Sequence, residues 1–169
     1  MKYGKKLDNI FSLSTLIIFL HFSLLFYSDW LAPAKIGRMN MDGSDHRFLV
    51  NGTNITWPNG LAIDYNKNRI YWADAKTDVV ESINLDGTDR KIIISGTRHI
   101  FGLAIDAEHI YWTDWSEKSI LRAPLKNVSK WERLLTDTGG LMEIQIYDKD
   151  LQVGKCLKMY IYSFSKNIL

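Results

Sequence analysis

Four histidines, one cysteine and two short acidic loops are the residues with which this 169-residue chain could do chemistry. His21, His46, His99 and His109 are scattered, and no two of them share the spacing of a zinc site. Cys156 has no partner cysteine in the chain, so neither an internal disulfide nor a CxxC metal site follows. The loops "MDGSDH" (Met41 to His46) and "LDGTDR" (Leu85 to Arg90) each bring two carboxylates close, as a calcium site would. They lack the further oxygen ligands and spacing of a calcium loop, and Asp42-Gly43 and Asp86-Gly87 read as tight turns. No GxSxG and no P-loop is present. The expectation is a protein with no catalytic residues, no metal and no cofactor.

The other chemical resource is aromatic. "HIYWTDWSEKSI", His109 to Ile120, holds Tyr111, Trp112 and Trp115 within five residues. Such a cluster is either an exposed binding surface or part of a buried scaffold, and its recurrence favours the scaffold. "RIYWADAKTDVV" (Arg69 to Val80) repeats it, and "FYSDWLAPAKIG" (Phe26 to Gly37) is a weaker copy. Matching the tyrosines sets Tyr27, Tyr71 and Tyr111 in register, 44 and 40 residues apart. On that register Ser28 stands where the other copies have Trp72 and Trp112, so the first copy reads as degraded. "MNMDGSDHRFLV" (Met39 to Val50) matches "INLDGTDRKIII" (Ile83 to Ile94) in the same phase. So does "NGLAIDYNKNRIYWAD" (Asn59 to Asp74) with "FGLAIDAEHIYWTD" (Phe101 to Asp114).

The elements that position these residues are short strands. Gly60 to Asp64 is an apolar run opened by glycine, as for a strand buried on both faces. A polar turn at 65–68 precedes the aromatic strand Arg69 to Asp74. Val79 to Leu85 ends in Asp86-Gly87, a strong turn signal, and Arg90 to Ser95 supplies a fourth, β-branched strand. Four strands in a period near 40 residues make one antiparallel β-propeller blade. The paired aromatics alternate on their strand, so one of each pair faces a neighbouring blade, and each buries roughly 150–250 Å². Asp74 and Asp114, ending their strands, are expected to accept backbone N–H groups from turns or the adjacent blade.

These motifs resemble the YWTD repeats, or class B repeats, of the low-density lipoprotein receptor and its relatives. "YWAD" at 71–74, "YWTD" at 111–114, "WPNGLAID", "LDGTDR" and "FGLAID" carry the likeness, over about Tyr27 to Gln152. The resemblance implies an extracellular six-bladed propeller, usually closed by an EGF-like module, in endocytic or signalling receptors. It gives Tyr27, Asp29, Trp30, Tyr71, Trp72, Asp74, Tyr111, Trp112 and Asp114 a structural role in the repeat. It implies a ligand face made of loops at one end of the ring, with Trp57, Asn59, His99 and Phe101 as candidate contacts. The implied partners are extracellular protein ligands of lipoprotein or Wnt-pathway type, and the implied outcome is endocytosis or co-receptor signalling at the cell surface. An extracellular-matrix adhesion module with the same propeller is the alternative reading, and a propeller hydrolase a weaker one.

The expected organisation has three parts. Residues 1–26 form a signal-like or membrane-anchor-like segment: Lys2, Lys5 and Lys6 precede Ile10 to Tyr27, 18 residues without a charge. As a helix that run is about 27 Å long, close to a hydrocarbon core. Residues 27–152 carry the repeats, with blades over about 27–50, 58–95 and 100–136 and an extra strand within 139–152. Residues 153–169 form a tail. The fold class expected is all-β, about three of six blades of a YWTD-type propeller behind a helical N-terminal segment. Three blades alone leave two apolar flanks uncovered, so a partial chain is expected. Hydrophobic residues at 46% suit a folded chain, and a net charge of +2 argues against nucleic acid as partner. Asn51, Asn54 and Asn127 fit the N-glycosylation acceptor pattern.

Overall fold

The computed structural model describes residues 13–19, 23–97, 99–136, 140–147 and 158–163. Within them the secondary structure is all β. The first sheet runs in chain order through β1 (Leu13–Phe19), β2 (Leu24–Asp29), β3 (Lys35–Asn40) and β4 (Arg47–Asn51). The second runs through β5 (Pro58–Asp64), β6 (Arg69–Asp74), β7 (Val79–Asn84) and β8 (Lys91–Ser95). The third holds β9 (Ile100–Ile105), β10 (His109–Asp114), β11 (Ser119–Pro124) and β12 (Glu132–Leu135). β13 (Leu141–Tyr147) pairs with β14 (Lys158–Ser163) in a two-stranded sheet. Every neighbouring pair is antiparallel, and β1, β5, β9 and β13 stand side by side from one sheet to the next. This is part of a β-propeller, with its first strands innermost.

Two glycines allow the innermost strands to approach. A Cβ on Gly60 would stand 2.7 Å from the Leu103 nitrogen and the Phe101 oxygen. One on Gly102 would stand 2.7 Å from the Ile144 nitrogen. Any side chain there would collide with backbone, so the "NGLAID" and "FGLAID" glycines are fixed by close approach of the next sheet.

The apolar run expected to be helical is a strand over Leu13–Phe19. It pairs with β2 from Leu13↔Asp29 to Phe19↔Leu24, and Ile17 packs on the core between the first two sheets. An innermost strand is apolar on both faces, and hydropathy alone does not separate such a run from a buried helix. No helix among the described residues is long and apolar enough to cross a membrane. Residues 1–12 of the signal-like segment, and Cys156, lie outside the described residues.

The register of the first repeat also differs, by one residue. Asp29 pairs with Lys35 as Asp74 does with Val79 and Asp114 with Ser119. Counting back, Phe26-Tyr27-Ser28-Asp29 matches Tyr71-Trp72-Ala73-Asp74 and Tyr111-Trp112-Thr113-Asp114. Tyr27 therefore stands for Trp72 and Trp112, not for Tyr71 and Tyr111, and Phe26 fills the tyrosine place. Packing agrees. Phe26 lies with Leu61 and Trp72 between the first and second sheets, Tyr71 with Trp112 between the second and third, and Tyr111 with Leu141 and Ile144 beyond the third. The first aromatic of each pair thus faces the following sheet. Trp72 and Trp112 face the preceding one. The first copy is not degraded at Ser28, which is buried like Ala73 and Thr113. Trp30 is not a strand residue at all; it follows β2 and is 48% exposed.

The outer turns repeat in atomic detail. The Ser44 hydroxyl and amide both donate to Asp42 Oδ1, at 2.6 and 2.9 Å, and those of Thr88 to Asp86 Oδ1, at 2.7 and 2.9 Å. These donors hold both carboxyls below the usual range. Gly43 and Gly87 sit at φ 82° and 91°, where a Cβ is strained. The third sheet has no such turn; residues 125–131 replace it, and Val128 packs against the core between the second and third sheets.

At the seam between the first and second sheets an arginine closes the outer side. Arg90 lies 5.3 Å over the Trp72 ring and contacts both Glu81 oxygens, at 2.6 and 2.8 Å. It also donates across the seam to the carbonyls of Thr53 and Asn54, at 2.6 and 2.7 Å. His46 holds the same position in the first sheet, stacked on Tyr27 with its Nε2 2.5 Å from the phenol oxygen. Gly37 makes room for that phenol, because a Cβ there would collide with the Tyr27 ring.

Candidate ligand-binding face

Strand direction gathers the candidate residues at one end. Pro58 pairs with Asp74 and Ile100 with Asp114, so the segments leading into β5 and β9 lie beside the turns that follow β6 and β10. Asp74 fastens them together. Its Oδ2 accepts the Thr56 amide at 2.6 Å, and its Oδ1 accepts those of Trp57, Lys76 and Thr77 at 3.2, 3.0 and 3.1 Å. One buried carboxylate therefore fixes both the loop that presents Trp57 and the turn beside it, through bonds individually worth ~1.5–3 kcal/mol. Asp114 Oδ1 accepts the Glu117 amide at 2.9 Å. Asp29 accepts the Leu31 amide at 2.8 Å and pairs with Lys35 at 3.5 Å.

On this frame Trp57 stands 39% exposed, with the Lys76 ammonium 5.3 Å from its ring centre. The equivalent position in the next sheet is His99: the Ala75 amide donates to Trp57 and the Trp115 amide to His99. His99 and Phe101 come together with Trp115. Phe101 and Trp115 stack at 4.2 Å and 19°, and the His99 ring lies 6.0 Å from each. Trp115 is 37% exposed and its indole N–H donates to the Leu141 carbonyl at 2.6 Å, tying the cluster to β13. Stacked pairs of this kind contribute about 0.5–1.5 kcal/mol beyond area burial, which favours keeping the rings together.

Sequence reasoning did not place Trp115 among the contact candidates. The available signal was its position directly after Asp114, shared with Trp30 after Asp29. Asn59 behaves differently from its companions. It is buried, donates to the Ile100 carbonyl at 3.3 Å, and lines a cavity of about 190 Å³ between the innermost strands, with Thr15, Phe101 and Glu143. Thr15 donates to the Asn59 carbonyl, so β1 helps wall this cavity.

Asp106 shows what the turns at the opposite end do. Burial pushes its carboxyl up, but the Glu108 amide, the Tyr111 hydroxyl and the His109 amide together bring it below its ordinary value. Asn51, Asn54 and Asn127 are all exposed, and the Ser129 hydroxyl donates to Asn127 Oδ1 at 2.6 Å. Among the described residues no three His, Cys, Asp or Glu side chains gather as metal ligands.

The family model for the low-density lipoprotein receptor repeat class B matches residues 23–65 and 68–106. The chain is 40% identical over 125 residues to the vitellogenin receptor Yl of Drosophila melanogaster, covering 73% of this chain and 6% of that one. It is 35% identical over 132 residues to the human low-density lipoprotein receptor-related protein 5-like protein, covering 78% and 52%. It is 37% identical over 119 residues to the rabbit (Oryctolagus cuniculus) sortilin-related receptor, covering 70% and 5%. The chain thus spans about half or less of the curated relatives it matches. Among solved structures, a chain of a nidogen/laminin complex superposes with a TM-score of 0.74 at 24% identity, over 88% of this chain and 55% of that one. The calcium-binding protein regucalcin of Agrobacterium tumefaciens superposes with a TM-score of 0.61 at 18% identity, over 76% and 47%. At those identities the superpositions speak for the propeller fold alone. Sheet order, aromatic phase and sequence matches together make this chain a member of the low-density lipoprotein receptor-related family, carrying class B (YWTD) repeats.

Proposed function

We propose that this chain serves as a protein-binding, non-enzymatic part of the extracellular region of a lipoprotein-receptor-related cell-surface receptor. The observation that carries this reading is the display of three half-exposed tryptophans on one end of the sheets, Trp30 and Trp115 at equivalent places after β2 and β10 and Trp57 before β5, on a backbone pinned by buried carboxylates. Tryptophan anchors on a rigid surface are the residues that dominate protein–protein contacts. The ligand face comprises Trp57, His99, Phe101 and Trp115. Asn59 supports it from the inner cavity. A lipoprotein-type ligand taken up by endocytosis is favoured over a Wnt-type one by the 40% identity to a vitellogenin receptor. The sequons at Asn51, Asn54 and Asn127 are glycan sites on this extracellular reading.

The test is binding of purified vitellogenin to cells displaying the chain, followed by its internalisation. Trp57→Ala is expected to weaken binding by about tenfold or more while leaving surface display unchanged, because Trp57 is a half-exposed loop residue. Equal binding by the wild type and W57A would remove this face from the reading. Binding of a Wnt-pathway ligand or of laminin instead of vitellogenin would replace the proposed ligand class.

A further inference from the structure

The outer side of the two seams differs at three equivalent positions. In the first seam these are Trp72, Glu81 and Arg90. Strand register assigns Trp112, Leu121 and Trp131 to the same places in the second, since Trp112 pairs with Leu121 as Trp72 does with Glu81, and Trp131 precedes β12 as Arg90 precedes β8. Thr97 likewise takes the place of Thr53, whose carbonyl receives Arg90. The guanidinium that seals the first seam has no counterpart at position 131. Arg133 is drawn aside, 2.5 Å from Glu117 and 5.5 Å over the Trp131 ring, and Arg122 pairs with Glu132. A cleft of about 430 Å³ is left, lined by Trp112, Trp131, Leu121 and Thr97 among others.

We propose that this cleft receives an arginine side chain from an extended segment of a protein partner, which completes the seam as Arg90 completes the first. Three features of the cleft select that occupant. Trp112 offers an indole at the place where Trp72 carries a cation, and Trp131 supplies a second, 48% exposed. A planar guanidinium stacks on such rings and donates from its edge at the same time. Thr97 lines the cleft at the place of Thr53, whose backbone carbonyl accepts from Arg90 in the first seam. The charged side chains of the lining are two carboxylates, Asp114 and Glu117, and one guanidinium, Arg133. The volume lies within the ~300–1,000 Å³ usual for ligand sites, enough for a long side chain and part of its backbone. The cleft lining includes none of Trp57, His99, Phe101 and Trp115, and its test does not depend on theirs.

The experiment uses the whole chain with ¹⁵N-labelled indoles and the capped tripeptide Gly-Arg-Gly as probe. Saturable shifts of the Trp112 and Trp131 indole signals are expected, with dissociation constants in the millimolar range. The citrulline analogue, which keeps the shape and loses the charge, should bind about tenfold more weakly. The variant Leu121→Glu with Trp131→Arg rebuilds the first seam's arrangement and should abolish binding. Trp131→Ala, at an exposed position, should weaken it by about tenfold and covers the case in which the double variant does not fold. Equal affinity for Gly-Leu-Gly would assign the cleft to an apolar side chain, and equal affinity for Gly-Lys-Gly to a bare point charge. Either result, or the absence of saturable shifts, overturns the proposal.

Discussion

The two seams share a backbone and differ in chemistry. Both set an aromatic of the second strand against the preceding sheet: Trp72 in the first seam and Trp112 in the second. The innermost strands of the second seam meet over Gly60, where the first seam has Thr15, whose hydroxyl donates to the Asn59 carbonyl. At the outer edge the first is sealed by an ion pair and two cross-seam hydrogen bonds. The second is bordered by two indoles and a leucine around an open cleft. The second-strand packing is therefore kept from seam to seam, while the outer edge varies. Stability is concentrated where the copies agree, and recognition can be placed where they do not.

The largest effect that tests this division is loss of the second-strand tryptophan. Trp72 is 0% exposed and lies in the core between the first two sheets. Trp72→Ala is expected to cost about 3–5 kcal/mol, from lost transfer energy and the cavity left behind. Trp112 is 2% exposed but lines the cleft, so part of the void left by Trp112→Ala would open to solvent and the cost should be less. Urea denaturation of both variants measures the difference. Equal losses would mean that the cleft does not relax the second seam.

A smaller effect comes from the ion pair. Arg90→Met leaves Glu81 buried without its partner, and removing one member of a buried pair costs about 3–5 kcal/mol. Arg90 is itself partly exposed, so about 2 kcal/mol is expected. Adding Glu81→Leu to that variant gives the first seam the second seam's pairing of tryptophan with leucine and should recover most of the loss. A double variant as unstable as Arg90→Met would show that the bonds to Thr53 and Asn54, rather than the stranded carboxylate, account for the cost.

How much of this was readable in the sequence follows from the same division. Tyr71, Trp72, Asp74 and their copies at 111–114 repeat the residues of the inner scaffold, and their phase gave the blade and the family likeness. The first copy misled because Tyr27 matches Tyr71 by letter. Its burial partner and register match Trp72, and only Asp29, a carboxylate tied to a fixed strand end, keeps the true phase. β1 misled because an innermost strand lacks the alternation that marks a half-exposed one. Trp57, His99 and Phe101 could be chosen as loop neighbours of glycine, but their grouping with Trp115 depends on rings brought together across β9 and β10. The cleft was not legible, since position 131 follows a turn of different sequence from "LDGTDR" and finds its equivalent only through strand pairing.

The least effect expected is at the arginine that lies beside the cleft without filling it. Arg133 and Glu117 approach to 2.5 Å, but their side chains are 43% and 40% exposed. Exposed pairs of this kind contribute about 0–1 kcal/mol, because solvent screens the charges and two long side chains must be held in one geometry. Arg133→Ala should therefore shift the urea midpoint only slightly, with an unchanged slope. The contrast with Arg90 is the informative part: both are arginines lying over tryptophan rings and paired with glutamates, and they differ in burial and in bonds across a seam. If Arg133→Ala were as damaging as Arg90→Met, the pair would be holding the second seam shut. The outer radius would then be structural in both seams, with no vacancy left for a partner's side chain.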